Sequence, residues 1–167
     1  MHDENRNDLQ NEQVAEFQYG RHLAALGVTQ VSTNITPKRR KDHYDFEIYE
    51  EGKWTGVAEV RAVNYTHEQV EEWGGFMLEE GKLKALKDQF CFRSAVTGKP
   101  MWSKQIIFLF RCVPDDTLWC IHMRQIVDGW ADWPEVSPEK FKTNHGAGQH
   151  PTKRGKRIPF NLMERVE

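Results

Sequence analysis

The chain has 167 residues, room for one domain with a covered sheet but not for two independent cores. Its 23 Lys and Arg against 25 Asp and Glu give a formal charge of −2, so overall polarity does not announce a nucleic-acid partner. Mean hydropathy is low at −0.74, yet aromatic residues make up 11% with six Trp, which argues for burial rather than disorder. No run approaches the ~20 apolar residues of a membrane span, the start Met1-His2-Asp3-Glu4-Asn5 is no signal peptide, and three cysteines without paired spacing make no disulfide framework. A membrane protein, a disulfide miniprotein, a coiled-coil rod and a repeat array are set aside, and a cytoplasmic location is the default expectation.

Residues 1–10 are polar and predicted to fray. A helix is predicted from Asn11 to Leu26, with Val14, Phe17, Leu23, Ala24 and Leu26 at three- and four-residue steps and Gly27 as its stop. Val28 to Val31 reads as a short strand, followed by the basic loop Pro37-Lys38-Arg39-Arg40-Lys41. Tyr44 to Tyr49 and Trp54 to Val63 read as the two strands of a hairpin, with Trp54, Gly56, Ala58 and Val60 on one face. His67 to Phe90 reads as two helical pieces or one bent helix, broken at Gly74-Gly75 and Gly81, with Leu83, Leu86 and Phe90 on one side. The apolar run Ile106 to Phe110 suits a strand buried on both faces. Pro114-Asp115-Asp116 turns the chain into a further strand, Thr117 to Met123, and the segment 130–167 is read as irregular and basic, with a short strand or helix over Ile158 to Leu162. The class is α/β, in the order α-β-β-β-α-β-β, with a mixed central sheet flanked by helices in a single domain over 1–167.

Asp45 and Glu59 stand out on the hairpin. A three-residue loop Glu50-Glu51-Gly52 pairs Tyr49 with Lys53, which sets Asp45 opposite Val57 and Glu59 diagonally beyond it on the same face. Two carboxylates so placed can share one divalent cation, whereas a two-residue turn puts them on opposite faces. Glu59 lies within Gly56-Val57-Ala58-Glu59-Val60-Arg61-Ala62-Val63, an otherwise buried-looking stretch, and a buried carboxylate needs a partner, a proton or a metal.

The stretches His43-Tyr44-Asp45-Phe46-Glu47-Ile48 and Ala58-Glu59-Val60-Arg61 resemble the PD-(D/E)XK nucleases, the restriction-endonuclease-like fold that includes archaeal Holliday junction resolvases and many phage nucleases. Glu16 on the first helix, with Gly27 at its end, fits the resolvase-like branch. The resemblance covers roughly residues 12–123. It implies a Mg²⁺-dependent (Mn²⁺ can substitute) deoxyribonuclease acting on double-stranded or branched DNA, as a homodimer, in a host cytoplasm if phage-encoded. It implies that Asp45, Glu59 and the Val60 carbonyl hold the metal, that Glu16 contacts a water or second metal, and that the residue at position 61 faces the scissile phosphate. Two departures are Tyr44 in place of proline and Arg61 in place of lysine. Arginine clamps charge but does not act as a base, so Lys82 from the following helix is the first candidate to take part. Gln69 and Trp73 echo a Gln-x-x-x-Tyr of some relatives, although Trp73 also reads as core.

Lys38, Arg39, Arg40 and Lys41, with Lys140, Lys142, Lys153, Arg154, Lys156 and Arg157, hold ten of the 23 basic residues in two short regions, candidate phosphate-binding patches. No recognition helix or zinc finger is present in the sequence, which favours backbone or structure readout over base reading. Cys112, Cys120 and His122 read as core, His145 and His150 as part of a loop, and Trp130 and Trp133 as packing or dimer residues. Two competing readings remain: a catalytically inactive nuclease-fold regulator that binds DNA or protein, favoured by Arg61, and an unrelated α/β interaction protein.

Overall fold

The structure, a computed structural model, describes residues 2–26, 31–35, 43–137 and 153–166. In chain order its elements are α1 (His2–Ala25), β1 (Val31–Ile35), β2 (Phe46–Glu50), β3 (Lys53–Val63), α2 (His67–Glu72), β4 (Gly75–Glu79), α3 (Glu80–Phe90), β5 (Cys91–Arg93), β6 (Pro100–Trp102), β7 (Gln105–Cys112), β8 (Thr117–His122), α4 (Met123–Gly129), β9 (Glu135–Val136), β10 (Gly155–Pro159) and β11 (Glu164–Val166). A six-stranded mixed sheet runs in the order β1-β2-β3-β7-β8-β11, a three-stranded sheet in the order β4-β10-β9, and β5 pairs with β6. Only β3 and β7 are parallel in the main sheet, joined by the crossover that carries α2, β4 and α3.

The α1 helix starts nine residues earlier than the sequence reading placed it, so residues 2–10 are helical rather than frayed; no Gly or Pro occurs before Gly20 to stop it. Its buried stripe is also different. Glu12, Ala15 and Tyr19 face the sheet, whereas Phe17 is 66% exposed and Leu26 is exposed too. The apolar positions alone suggested the wrong side, because the buried stripe contains a carboxylate and an alanine. The expected strand Val28–Val31 gives way to β1 at Val31–Ile35, and Gly27, like residues 28–30, lies outside the described residues.

The hairpin turn is two residues, not three. Glu50 pairs with Lys53, and Glu51 and Gly52 between them both have positive φ, 50° and 76°, the signature of a type I′ turn. Alone, this turn would put Asp45 and Glu59 on opposite faces. A β-bulge prevents it. Tyr49 pairs with Trp54, but Ile48 pairs with Gly56, so Thr55 is the extra residue on β3. The same bulge moves Trp54 away from the face of Ala58 and Val60: it packs in the cluster of Val57, while Ala58 and Val60 belong to the opposite cluster.

The core lies on both faces of the main sheet. Beneath α1 are Phe46, Ile48, Ala58, Val60, Ile107 and Leu109. On the other face Val57, Phe108 and Phe110 meet Leu83, Leu86 and Phe90 of α3 and the small sheet. From Ile106 to Cys112 every residue of β7 is buried, as its apolar run led us to expect.

Gly74-Gly75 does not merely interrupt a helix. It separates α2 from a strand, β4, that the sequence reading missed and whose partner β10 lies about 80 residues away in sequence. The region after Trp130 is likewise ordered where described: β10 forms the middle of the small sheet and β11 an edge of the main one. Trp133 is buried against Trp130. Cys112 and Cys120 are buried and His122 is exposed; burial pushes the Cys112 thiol up to about 11 and Cys120 up to about 12, which keeps both protonated. No helix among the described residues is long and apolar enough to cross a membrane.

The short helix α2 depends on its cap. The Thr66 hydroxyl accepts from the Gln69 amide while the Gln69 side chain accepts from the Thr66 amide, a complete capping box. Thr66→Ala is expected to cost about 1 kcal/mol in urea unfolding, and an unchanged midpoint would show that the cap adds nothing.

Candidate functional site

The β3 strand extends beyond the start of β2. Lys53 to Ala58, apart from the bulged Thr55, pair with β2, whereas Glu59 to Val63 pair with β7 on one side only. At this open edge Asp45, the residue before β2, folds back: its Oδ2 accepts the Val60 amide at 2.7 Å, and its own amide donates to the Ala58 carbonyl at 2.8 Å. The Asp45 carboxylate thus takes over a strand hydrogen bond that would otherwise be unmade. The pairing of β2 and β3 ends at Phe46 with Ala58, and just beyond it Asp45 bends back towards β3, so that Asp45 and Glu59 line one cavity.

Glu59 is only 4% exposed. Its Oε1 lies 2.9 Å from Lys82 Nζ on the first turn of α3 and 3.9 Å from Arg61 Nε. Arg61 reaches Glu79, at the end of β4, at 3.9 Å, and Lys153 reaches the same Glu79 oxygen at 3.7 Å. Four segments therefore meet in one alternating line of charge. A cavity of about 320 Å³ opens beside it, lined by Asp45, Glu59, Val60, Arg61 and Lys82 and, from α1, by Asp8, Asn11 and Glu12.

Burial pushes the Glu59 carboxyl up, and the Asp45 charge adds to this; Lys82 and then Arg61 pull it down, leaving it at about 7 against an ordinary 4.5. A folded pKa above the unfolded one means that the folded protein holds a proton which the unfolded chain has released. The metal-free protein is therefore expected to lose stability as pH rises from about 4.5 through about 7, by at most about 3 kcal/mol. Urea unfolding at several pH values should show that slope, and Glu59→Gln should flatten it; an identical slope in the variant would place the linkage elsewhere.

Of the residues singled out from sequence, Asp45, Glu59, Val60, Arg61 and Lys82 come together at this edge. Glu16 does not line the cavity. One turn earlier, Glu12 does, and it is buried. Its spacing with Ala15 and Tyr19 was the available signal. Glu79 was missed because β4 was missed. Lys156 donates to the Trp130 carbonyl at 2.6 Å and Arg157 to the Gly75 carbonyl at 2.8 Å, so each is tied to the chain through a hydrogen bond. Lys153 faces Glu79, and Arg154 is exposed. Lys38, Arg39, Arg40, Lys41, Lys140, Lys142, His145 and His150 lie outside the described residues. Trp73, read as core, is exposed instead.

Among the described residues no cluster of three or more His, Cys, Asp or Glu is arranged to cage a metal. Magnesium does not require one, because it binds through one or two carboxylates and retains several waters. The hard-oxygen pair Asp45 and Glu59, whose mutual repulsion contributes to the raised Glu59 pKa, suits such an ion.

No family model and no curated protein matches the chain. Among solved structures it is similar to D212, a nuclease from a fusselovirus, at 17% identity and a TM-score of 0.49, with 86% of this chain and 76% of that one covered. An overlap that loose carries no weight for function, which has to be read from the residues at the β3 edge.

Proposed function

We propose that this chain is a metal-dependent DNA endonuclease of the PD-(D/E)XK type that hydrolyses phosphodiester bonds. The observation that carries the reading is a carboxylate buried at an open strand edge, Glu59, facing a second carboxylate, with a lysine and an arginine on the same side. Asp45 and Glu59 would hold a Mg²⁺ or Mn²⁺ ion together with the Val60 carbonyl, which leaves the strand on the same edge as the Val60 amide bound by Asp45. Such an ion, when bound, lowers the pKa of its water and offsets charge on a phosphate. Arg61 supplies a fixed positive charge and a hydrogen-bonding fork for a phosphate oxygen. Lys82 can be a base or a proton donor where arginine cannot, and from α3 it reaches the same carboxylate as the strand residue. Lys82→Ala is expected to slow cleavage about a hundredfold, and a variant that cuts at the parent rate removes Lys82 from the reaction.

Plasmid cleavage with Mg²⁺ or Mn²⁺, followed by linear, flapped and four-way DNA, tests the proposal. Structure-selective cutting and dimeric action belong to the same reading and are tested by the substrate panel and by sedimentation. A second reading is a catalytically inactive nuclease-fold protein. The Lys82 contact favours it, because Glu59 already has a counter-ion. Calorimetry with Mn²⁺ separates the two: binding lost in Asp45→Asn supports the enzyme, and no binding supports the inactive form.

A further inference from the structure

Along β3 the face that carries Glu59 and Arg61 continues to Val63, at the wall of a second cavity of about 510 Å³. Its floor is apolar, with Val70 and Phe76 both buried. Two aromatic rings stand at its rim. Tyr65 precedes α2 and Trp73 ends it, and they meet edge to face with centroids 4.8 Å apart. Helix α2 needs neither ring wholly for packing, since 46% of Tyr65 and 47% of Trp73 remain exposed. The Arg157 guanidinium, anchored on the Gly75 carbonyl, closes the same rim.

We infer that this groove is a stacking site for one unpaired nucleobase of a nucleic-acid strand whose backbone passes the Glu59 and Arg61 edge. The inference rests on the proposed nuclease function and adds to it a substrate class: DNA with at least one unstacked nucleotide next to the cut. Three features select this occupant. The exposed rings offer flat π surface, which any base can use without sequence reading. Arg157 supplies a positive charge beside them for the phosphate attached to that base. Arg61 and Val63 are consecutive residues on one face of β3, so a single strand can engage the groove and the carboxylate edge together. A duplex with all its bases stacked offers nothing to the rings.

The test measures binding in EDTA, where no hydrolysis occurs. Fluorescence anisotropy with a short end-labelled single strand, and with the same sequence as a blunt duplex, is compared for wild type, Trp73→Ala, Trp73→Phe and Tyr65→Ala. Trp73→Ala is expected to weaken single-strand binding about tenfold and to leave duplex binding nearly unchanged, while Trp73→Phe retains most of the affinity. Binding of the single strand should also quench part of the tryptophan emission in wild type, and Trp73→Phe should remove that part. Equal loss on both substrates, or none on either, overturns the stacking site; no loss on either is also what a protein-docking groove would give. Asp45→Asn keeps the two ideas apart. If it stops cleavage while Trp73→Ala binds single strands normally, the nuclease reading stands and the stacking site falls. If wild type neither binds nor cuts any DNA, both fall.

Discussion

Asp45→Asn and Glu59→Gln are each expected to lower the DNA cleavage rate by at least about a thousandfold, a barrier increase of about 4 kcal/mol, while the protein stays folded. The two changes are nearly isosteric. In Asp45→Asn the amide oxygen can still accept from Val60, so the edge of β3 keeps its hydrogen bond. Glu59→Gln removes a buried charge that the fold disfavours, and Lys82, left without its carboxylate, is partly exposed and can turn to water. Loss of activity with a urea midpoint at neutral pH no lower than the parent's, and raised in Glu59→Gln, would therefore mark chemistry rather than collapse. Cleavage at the parent rate by either variant, measured on supercoiled plasmid with Mn²⁺, would remove that residue from the reaction.

The second large effect is on stability. Gly75→Ala is expected to cost about 3 kcal/mol or more, because the chain as folded leaves no room for a side chain there. Gly75 has φ 135°, and a Cβ built on it would lie 1.6 Å from the Ile158 carbonyl oxygen, a backbone atom that cannot swing aside. Relief requires β4 and β10 to separate at that end, which loosens the Arg157 bond to the Gly75 carbonyl. Gly52→Ala provides the control. Gly52 also has positive φ, but nothing lies within 4 Å of a Cβ there, so only the backbone preference is lost, about 1 kcal/mol. Similar midpoints for the two variants in urea would show that the β4–β10 contact is slack.

The parts of the fold that sequence revealed are those whose signal is local. The β7 strand declares itself by consecutive apolar residues, and α3 by Leu83, Leu86 and Phe90 at helical spacing. Glu59 is legible because an acid inside an apolar strand is chemically out of place, and Asp45 because of its position on the hairpin. What stayed hidden depends on distant partners or on a compensated pair of irregularities. Strand β4 looks like the start of a helix until β10 is set beside it. The two-residue turn and the Thr55 bulge each invert the side-chain parity, and together they cancel. A three-residue loop, which the chain does not form, leads by spacing alone to the same shared cavity that the turn and the bulge produce together. Glu12 and Glu79 were passed over because one sits on a helix face judged by its apolar residues alone and the other ends an unseen strand.

The lateness of β10 and β11 has a bearing on synthesis. Residues 155–166 supply the middle strand of one sheet and an outer strand of the other. A nascent chain still threaded through the ribosome short of Gly155 holds β4 and β9 with nothing between them and leaves β8 with an unpaired side. Lys153, which neutralises Glu79, emerges at the same moment. Assembly of the charged edge thus waits until residues 153–166 have been made, and a ribosome stalled before that point would display an incomplete sheet to chaperones.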